Sequence, residues 1–343
     1  MQKFPVNELQ EWFLEVKRDF PWREDLGPYA VWVSEVMLQQ TQASVVVPYF
    51  LNWIRLFPDV KALAEAPLEA VIKAWEGLGY YSRARNLHEG AAFIVAHFDG
   101  VFPSQEEDLK KIKGLGPYTI GAILSFAFHK KKAAVDANVA RVISRYFLIQ
   151  EDVTSLKTLA HIRFLVESLL PNEDPHIAME ALIELGALVC KKKANCFSCP
   201  LKGDCLAFQA NKTEEIPILK PKGQTIALFR SVAILKWEDF FLLRKEEGKK
   251  VMAGLYEFPY VESKNLGVQD IEAVFGLKGA FHSHLSPVSH TFTKYKAHLI
   301  PSLWNVLEKR DKKGYLWVKF KDLEKLPFSS GHRKILHQLK HEV

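Results

Sequence analysis

The chain has 343 residues, 48% hydrophobic and 25% charged, ordinary globular values that exclude a disordered or collagen-like polymer and leave room for two hydrophobic cores. The N-terminus Met1-Gln2-Lys3-Phe4-Pro5-Val6-Asn7-Glu8 meets polar and acidic residues before any apolar signal core, and the uncharged run 114–129 is broken by glycine and proline. It is too short for a bilayer span of ~20 residues, so a soluble, cytoplasmic, monomeric protein with no membrane partner is expected. The formal charge of +6 is uneven: residues 226–343 carry 20 Lys and Arg against 13 Asp and Glu, so nucleic-acid binding by the first part must rest on local groups.

From Asn7 to about Leu206 apolar residues recur at helical spacing, as in Val31, Trp32, Val36, Met37 and in Ile120, Ile123, Leu124, Ala127, which predicts a helical domain. Glu35 has Val31, Trp32, Leu38 and Gln39 as its helical neighbours. It is either an exposed helix residue or a buried carboxyl with a raised pKa. Gly77-Leu78-Gly79-Tyr80 and Gly114-Leu115-Gly116-Pro117-Tyr118 each close one amphipathic helix and open another, marking two similar corners. Before the second, Ser104-Gln105-Glu106-Glu107 matches a capping box. Gly114 and Gly116 allow a tight turn, Pro117 suits the first helical turn, and the free amides there could hold a backbone phosphate without reading bases.

In Val135-Asp136-Ala137-Asn138 the aspartate follows an apolar stretch and reads as a helix cap or as a second functional carboxylate. A neutral acid beside an ionised one is the pairing used to break glycosidic bonds. All four cysteines, Cys190, Cys196, Cys199 and Cys205, fall within sixteen residues. Such a set binds zinc or an iron-sulfur cluster, and the single Cys-x-x-Cys knuckle flanked by five-residue intervals favours a 4Fe-4S cluster. Lys191, Lys192, Lys193 and Lys202 would give that loop a positive surface. Residues 211–224, with charges, two prolines and a glycine, read as a linker. Beyond it 226–236, 240–243, 290–300 and 315–320 are β-prone runs, so an α+β domain follows.

Taken in order, Glu35-Val36-Met37-Leu38-Gln39-Gln40-Thr41, Gly77-Leu78-Gly79-Tyr80-Tyr81-Ser82-Arg83-Ala84-Arg85, the hairpin, Val135-Asp136-Ala137-Asn138 and the cysteine loop resemble the MutY-type adenine DNA glycosylases. The resemblance implies an all-α helix-hairpin-helix glycosylase domain over 1–210 with a 4Fe-4S loop at 190–205, a linker at 211–224 and an α+β Nudix-like lesion-recognition domain over 225–343. It implies an intracellular, nucleoid-associated enzyme that flips adenine mispaired with 8-oxoguanine or guanine out of double-stranded DNA and hydrolyses its N-glycosidic bond. Glu35 would protonate the base and later help activate water, Asp136 would stabilise the sugar cation or trap it, and Tyr118 and Asn138 would support both.

By the same resemblance Gln40 and Tyr80 would wedge into the duplex, Arg83 and Arg85 would contact phosphates, and Gly114 and Gly116 would form the hairpin contact. Tyr118 stands where endonuclease III carries a nucleophilic lysine, which implies a monofunctional enzyme. Met252-Ala253-Gly254-Leu255-Tyr256-Glu257-Phe258-Pro259 resembles the opening of the Nudix-like domain, and no run of glutamates after it could hold magnesium for hydrolysis. Two departures stand out. The family's Phe-Ser-His contact to 8-oxoguanine is Phe292-Thr293-Lys294 here, a flexible charge replacing an imidazole, and the first cysteine interval is one residue short. The competing readings are an endonuclease III-like glycosylase/lyase and a DNA-binding scaffold that has lost catalysis.

Overall fold

A computed structural model describes residues 4–24, 27–220, 225–245, 252–263, 268–292 and 294–342. The chain divides into two compact units, one of Met1–Glu65 with Asn86–Pro221 and one of Ala66–Arg85 with Lys222–Val343. The helices in order are α1 (Val6–Val16), α2 (Gly27–Leu38), α3 (Ala43–Leu56), α4 (Val60–Glu65), α5 (Leu68–Ala74), α6 (Ser82–Phe98), α7 (Glu106–Leu109), α8 (Pro117–Ala122), α9 (Ala137–Tyr146), α10 (Leu156–Leu169), α11 (Pro175–Leu188) and α12 (Leu206–Gln209). Among the described residues none of the helices is long and apolar enough to cross a membrane.

The first unit is all-helical, as its periodicity predicts. One of its cores joins Leu9 and Phe13 of α1, Val139 and Ile143 of α9, Ile162 and Val166 of α10, and Ala178, Leu182 and Leu185 of α11. Helix α2 is different in kind. Every residue from Tyr29 to Met37 is buried, so it has no solvent face and any polar group on it must find its partners inside the protein. Tyr29 does so: its hydroxyl donates to the Phe57 carbonyl at 2.8 Å and accepts from the Trp53 indole at 3.1 Å.

The second unit is built on an eight-stranded sheet. Its strands are β1 (Ile226–Trp237), β2 (Phe240–Lys245), β3 (Tyr256–Glu257), β4 (Tyr260–Val261), β5 (Gly279–His284), β6 (Val288–Phe292), β7 (Tyr295–Val306) and β8 (Tyr315–Lys319). They run in the order β3-β2-β1-β7-β5, with β4 beside β1, β6 beside β7 and β8 beside β2. Strands β1 and β7 pair in parallel, from Ile226 opposite Tyr295 to Lys236 opposite Asn305. Alternation along β1 serves two cores. Val232 and Ile234 face the helices α14 (Phe320–Leu323) and α15 (Ser330–Leu339), while Ala233 and Leu235 face α13 (Val268–Phe275).

Three expectations need correction. The β-prone run 290–300 is two antiparallel strands, β6 and β7, that turn back around residue 294. Ser104 does not cap α7; Gln105 occupies the N-cap without a side-chain bond, and Glu106 is held instead by Lys110 and Lys132, both at 2.8 Å. The described part of the stretch read as a linker packs within the helical unit. Ile216 is buried, its carbonyl accepts from Arg145 Nε at 2.8 Å, and Val153 N–H donates to the Ile218 carbonyl at 3.1 Å. Replacing Tyr29→Phe removes the donor to a buried carbonyl and should lower stability by about 1–3 kcal/mol; urea unfolding followed by tryptophan fluorescence measures it.

Candidate active site

Glu35 lies on the fully buried α2 and is itself 7% exposed. Its Oε2 accepts a hydrogen bond from the Tyr118 hydroxyl at the start of α8. Loss of hydration pushes its pKa up to about 7; the Tyr118 bond and Arg23 work against that shift, while the charges of Asp136 and Glu180 add to it. The buried alternative for Glu35 is therefore the one the fold adopts. Near neutral pH it holds its proton about half of the time.

Asp136 caps α9, accepting from the Val139 amide at 2.8 Å, and its other oxygen accepts from the Asn138 side chain at 2.8 Å. Capping and service at the cleft are the same placement, since Asp136 and Asn138 line one cleft of about 2120 Å³ together with Glu35, Tyr118 and Gln40. Burial raises the Asp136 pKa, and these hydrogen bonds with nearby Arg141 oppose the rise. Donors aimed at both oxygens make Asp136 the better anion of the pair.

Arg141, one turn along α9, fixes Asn138. Its Nη2 donates to Asn138 Oδ1 and to the Gly186 carbonyl of α11, each at 2.8 Å, and its Nε donates to the Cys190 carbonyl at 2.7 Å. A chain of polar contacts thus runs from Asp136 through Asn138 and Arg141 to the first cysteine. Gly186 is required where α11 crosses α9: a Cβ there would stand 2.5 Å from Asn138 Cβ.

The same cleft holds ionisable residues that sequence reasoning missed. Arg23 bridges Glu180 at 3.0 Å and Glu184 at 2.7 Å, Arg18 pairs with Glu184, and the rings of His129 and His176 stack at 4.1 Å. The only signal was Glu180 and Glu184 on one face of α11; their arginine partners lie more than 150 positions earlier in the chain.

At the hairpin Gly114 has φ +86, and a Cβ would meet Asn86 Cβ at 2.6 Å, so both backbone and packing demand glycine. Gly116 is the N-cap of α8 with an ordinary φ of −91, and the space where its Cβ would stand is open. Among the described residues nothing requires glycine at 116. Lys113 is paired with Glu89 on the surface.

Gln40, in the first unit, is exposed at φ +60. In the second unit Tyr80 is 47% exposed at φ +47. Each is a bulky residue in the left-handed region, a conformation that costs energy and clusters at functional sites. Arg83 corrects its sequence reading as a phosphate contact. It is 8% exposed, stacks over Trp75, and donates to the Leu78 and Gly79 carbonyls at 3.0 and 3.2 Å, so it supports the loop that carries Tyr80. Arg85 donates to the Ala253 carbonyl at 2.7 Å. Phe292 ends β6 stacked on His290, and Lys294 lies beside the Tyr295 ring; Thr293 lies outside the described residues.

The four cysteines ring one small void, with Arg145, Lys202 and Phe208 also on its wall. Among the described residues no three His, Cys, Asp or Glu side chains converge on a point suited to a single metal ion. Four thiols around one void are a donor set that zinc or an iron-sulfur cluster could use. Buried Arg145 organises the loop through the Cys190 sulfur at 3.3 Å and the carbonyls of Lys191 and Lys192 at 2.6 and 2.9 Å. Its phenylalanine, Phe197, is exposed under the Lys202 ammonium.

The Gly186→Ala substitution should push Asn138 off Asp136 and destabilise the first unit by about 1–3 kcal/mol. Urea unfolding of the variant measures the second effect and its crystal structure the first.

Residues 33–168 match the HhH-GPD superfamily of base excision DNA repair proteins, and residues 231–338 match the NUDIX domain. The adenine DNA glycosylase of Buchnera aphidicola subsp. Acyrthosiphon pisum is 30% identical over 95% of both chains. That of Buchnera aphidicola subsp. Baizongia pistaciae is 35% identical over 73% of this chain and 71% of its own, and that of Homo sapiens 32% over 84% and 64%. Among solved structures, a thermostable thymine-DNA glycosylase superposes with a TM-score of 0.55 at 27% identity, covering 60% of this chain and 95% of that one. A non-covalent endonuclease III–DNA complex gives 0.51 at 22% over 60% and 94%, a likeness of fold. The chain belongs to the adenine DNA glycosylase family, enzymes of base-excision DNA repair.

Proposed function

We propose that this glycosylase removes adenine mispaired with 8-oxoguanine or guanine by hydrolysis alone, without cutting the strand. The observation that carries the chemistry is the pair of unlike carboxyl groups in one cleft: Glu35 held up to about 7 by burial, Asp136 supplied with donors at both oxygens. With the flipped adenine in the cleft, Tyr118 occupies Glu35 Oε2 and leaves Oε1 to give its proton to the base at N7. The glycosidic bond breaks as the base takes the bonding pair. Asp136 faces the positive charge left on the sugar, and the ionised Glu35 then accepts a proton from the water that attacks it. Glu35 ends the cycle protonated again.

Gln40 and Tyr80 fill space around the extruded base, the amides at Gly114 and Gly116 take phosphate, and the open side of Gly116 lets the DNA backbone approach. The Phe292, Thr293 and Lys294 turn reads the base opposite adenine. Cys190, Cys196, Cys199 and Cys205 would hold a 4Fe-4S cluster that would brace the basic loop, and the Cys190 carbonyl accepts from Arg141. The protein acts as a monomer on duplex DNA. Tyr118 at the hairpin position cannot form a Schiff base, which supports hydrolysis without lyase chemistry.

Single-turnover incubation with adenine opposite 8-oxoguanine, guanine or thymine tests the reading. Product after alkali only, fastest opposite 8-oxoguanine, is expected; strand cleavage without alkali or efficient borohydride trapping would overturn it. The acid form of Glu35 exists below its raised pKa, so the rate should fall about tenfold per unit above about 7, and it should fall again at acid pH where Asp136 takes up a proton. Glu35→Gln should lower the rate by about 10²–10⁴ while keeping mismatch affinity. Iron with broad visible absorption in the purified protein is expected; stoichiometric zinc without colour would reverse the cluster assignment.

A further inference from the structure

The loop 77–80 is an unstable piece of backbone on its own. Gly77, Gly79 and Tyr80 have φ of +105, +71 and +47, and a tyrosine persists in that region only where its surroundings over-determine it. Two restraints come from its flanks, the Arg83 contacts and the Trp75 indole bond to the Gly79 carbonyl at 3.0 Å. Others come from far along the chain but within the same compact unit. Just before the loop, Glu76 receives the Arg333 guanidinium in a two-pronged pair at 2.7 and 2.8 Å and the Phe328 amide at 3.0 Å. Just after it, the Tyr81 hydroxyl donates to the Phe328 carbonyl at 3.3 Å. The backbone of one residue, Phe328, therefore brackets both ends of the loop through its N–H and its carbonyl.

The pair is well shielded, with Glu76 and Arg333 side chains 14% and 13% exposed. Arg333 also donates to the Leu326 carbonyl at 2.6 Å, and Lys73 reaches both Glu76 and the Glu324 carbonyl. A bidentate, shielded and networked pair holds geometry far better than an exposed one. What it holds is the 77–80 loop, and the exposed side chain of that loop is Tyr80.

We propose that the Phe328 backbone and Arg333 form a template that positions Tyr80 on DNA, so that the unit bearing Phe292 and Lys294 also governs the wedge. The inference rests on the reading that this unit contacts the base opposite adenine. Phe292 packs against the hydrophobic core that contains Phe328 and Ile335, so engagement of 8-oxoguanine is passed to Tyr80 through that core, and cutting the connection at Arg333 lets excision opposite guanine and opposite 8-oxoguanine converge. Arg333 acts through Tyr80 as a positioning residue and touches no substrate.

The test is single-turnover adenine release from duplexes with 8-oxoguanine or guanine opposite adenine. The full chain is compared with Arg333→Met, Arg333→Lys, Tyr81→Phe, Tyr80→Asn and the Arg333→Met/Tyr80→Asn double variant; asparagine tolerates the left-handed backbone. Arg333→Met should shrink the ratio of the two rates about tenfold, a coupling of ordinary size. Arg333→Lys should restore much of it, and Tyr81→Phe should move it in the same direction by less. The double variant should be no slower than Tyr80→Asn alone. Losses that add in the double variant, or an unchanged ratio in Arg333→Met or Tyr81→Phe, overturn the template. Should Arg333→Met fail to fold, Tyr81→Phe, which loses a single hydroxyl, decides. Equal rates on the two duplexes for the unaltered chain would sink the 8-oxoguanine reading instead, and the cycle on the guanine duplex would still decide the template.

Discussion

A carboxyl group on a helix with no solvent face is the constraint around which the first unit is arranged. Raising the Glu35 pKa from 4.5 to about 7 means that its ionised form costs about 3 kcal/mol more there than in water. That cost is a sizeable part of the stability of a typical domain. The fold tolerates it because a neutral glutamic acid with one tyrosine partner is a modest burden. The consequence is chemical: an acid retained near pH 7, in a cleft it shares with an aspartate that has amide donors at both oxygens. Proximity of two carboxyls would by itself make one of them neutral; burial and donor count decide which.

The precision of that arrangement depends on contacts away from the cleft. Asp136 is aimed by the cap of α9 and by Asn138, Asn138 by Arg141, and Arg141 by carbonyls of Gly186 and Cys190. Each link is a hydrogen bond of ordinary length, and α9 and α11 approach closely at Gly186. The cysteine loop is thereby a support of Asn138 as well as a basic surface. In the second unit the Phe328 backbone and Arg333 do similar work beside an exposed tyrosine. In both places a long-range backbone contact fixes a residue that local sequence would leave free.

What the sequence shows and hides follows from these distances. The helical first unit, the four clustered cysteines, the cap at Asp136 and the turn at Gly114 are local patterns and are legible. Glu35 is legible as a carboxyl in apolar company, but periodicity could not tell a buried helix from a half-exposed one. Arg83 reads as a surface charge because its carbonyl partners belong to the loop's own geometry. Arg23 and Glu184 are invisible as a pair across 161 residues. Strand β5 has mostly exposed residues and no alternation, and β3 and β4 are two residues each, so neither leaves a periodic trace. The grouping of Ala66–Arg85 with the C-terminal unit rests on Glu76, Tyr81 and Arg85, whose partners lie far along the chain.

Glu35 keeps its proton to a higher pH than Asp136, up to about neutrality. Carbon-13 NMR titration of side-chain carboxyls, with Glu35→Gln used to assign the resonance, measures this without substrate. A Glu35 midpoint near 7 is expected, with Asp136, which has donors at both oxygens, losing its proton at lower pH. A Glu35 midpoint at or below 4.5, the ordinary glutamate value, would contradict it.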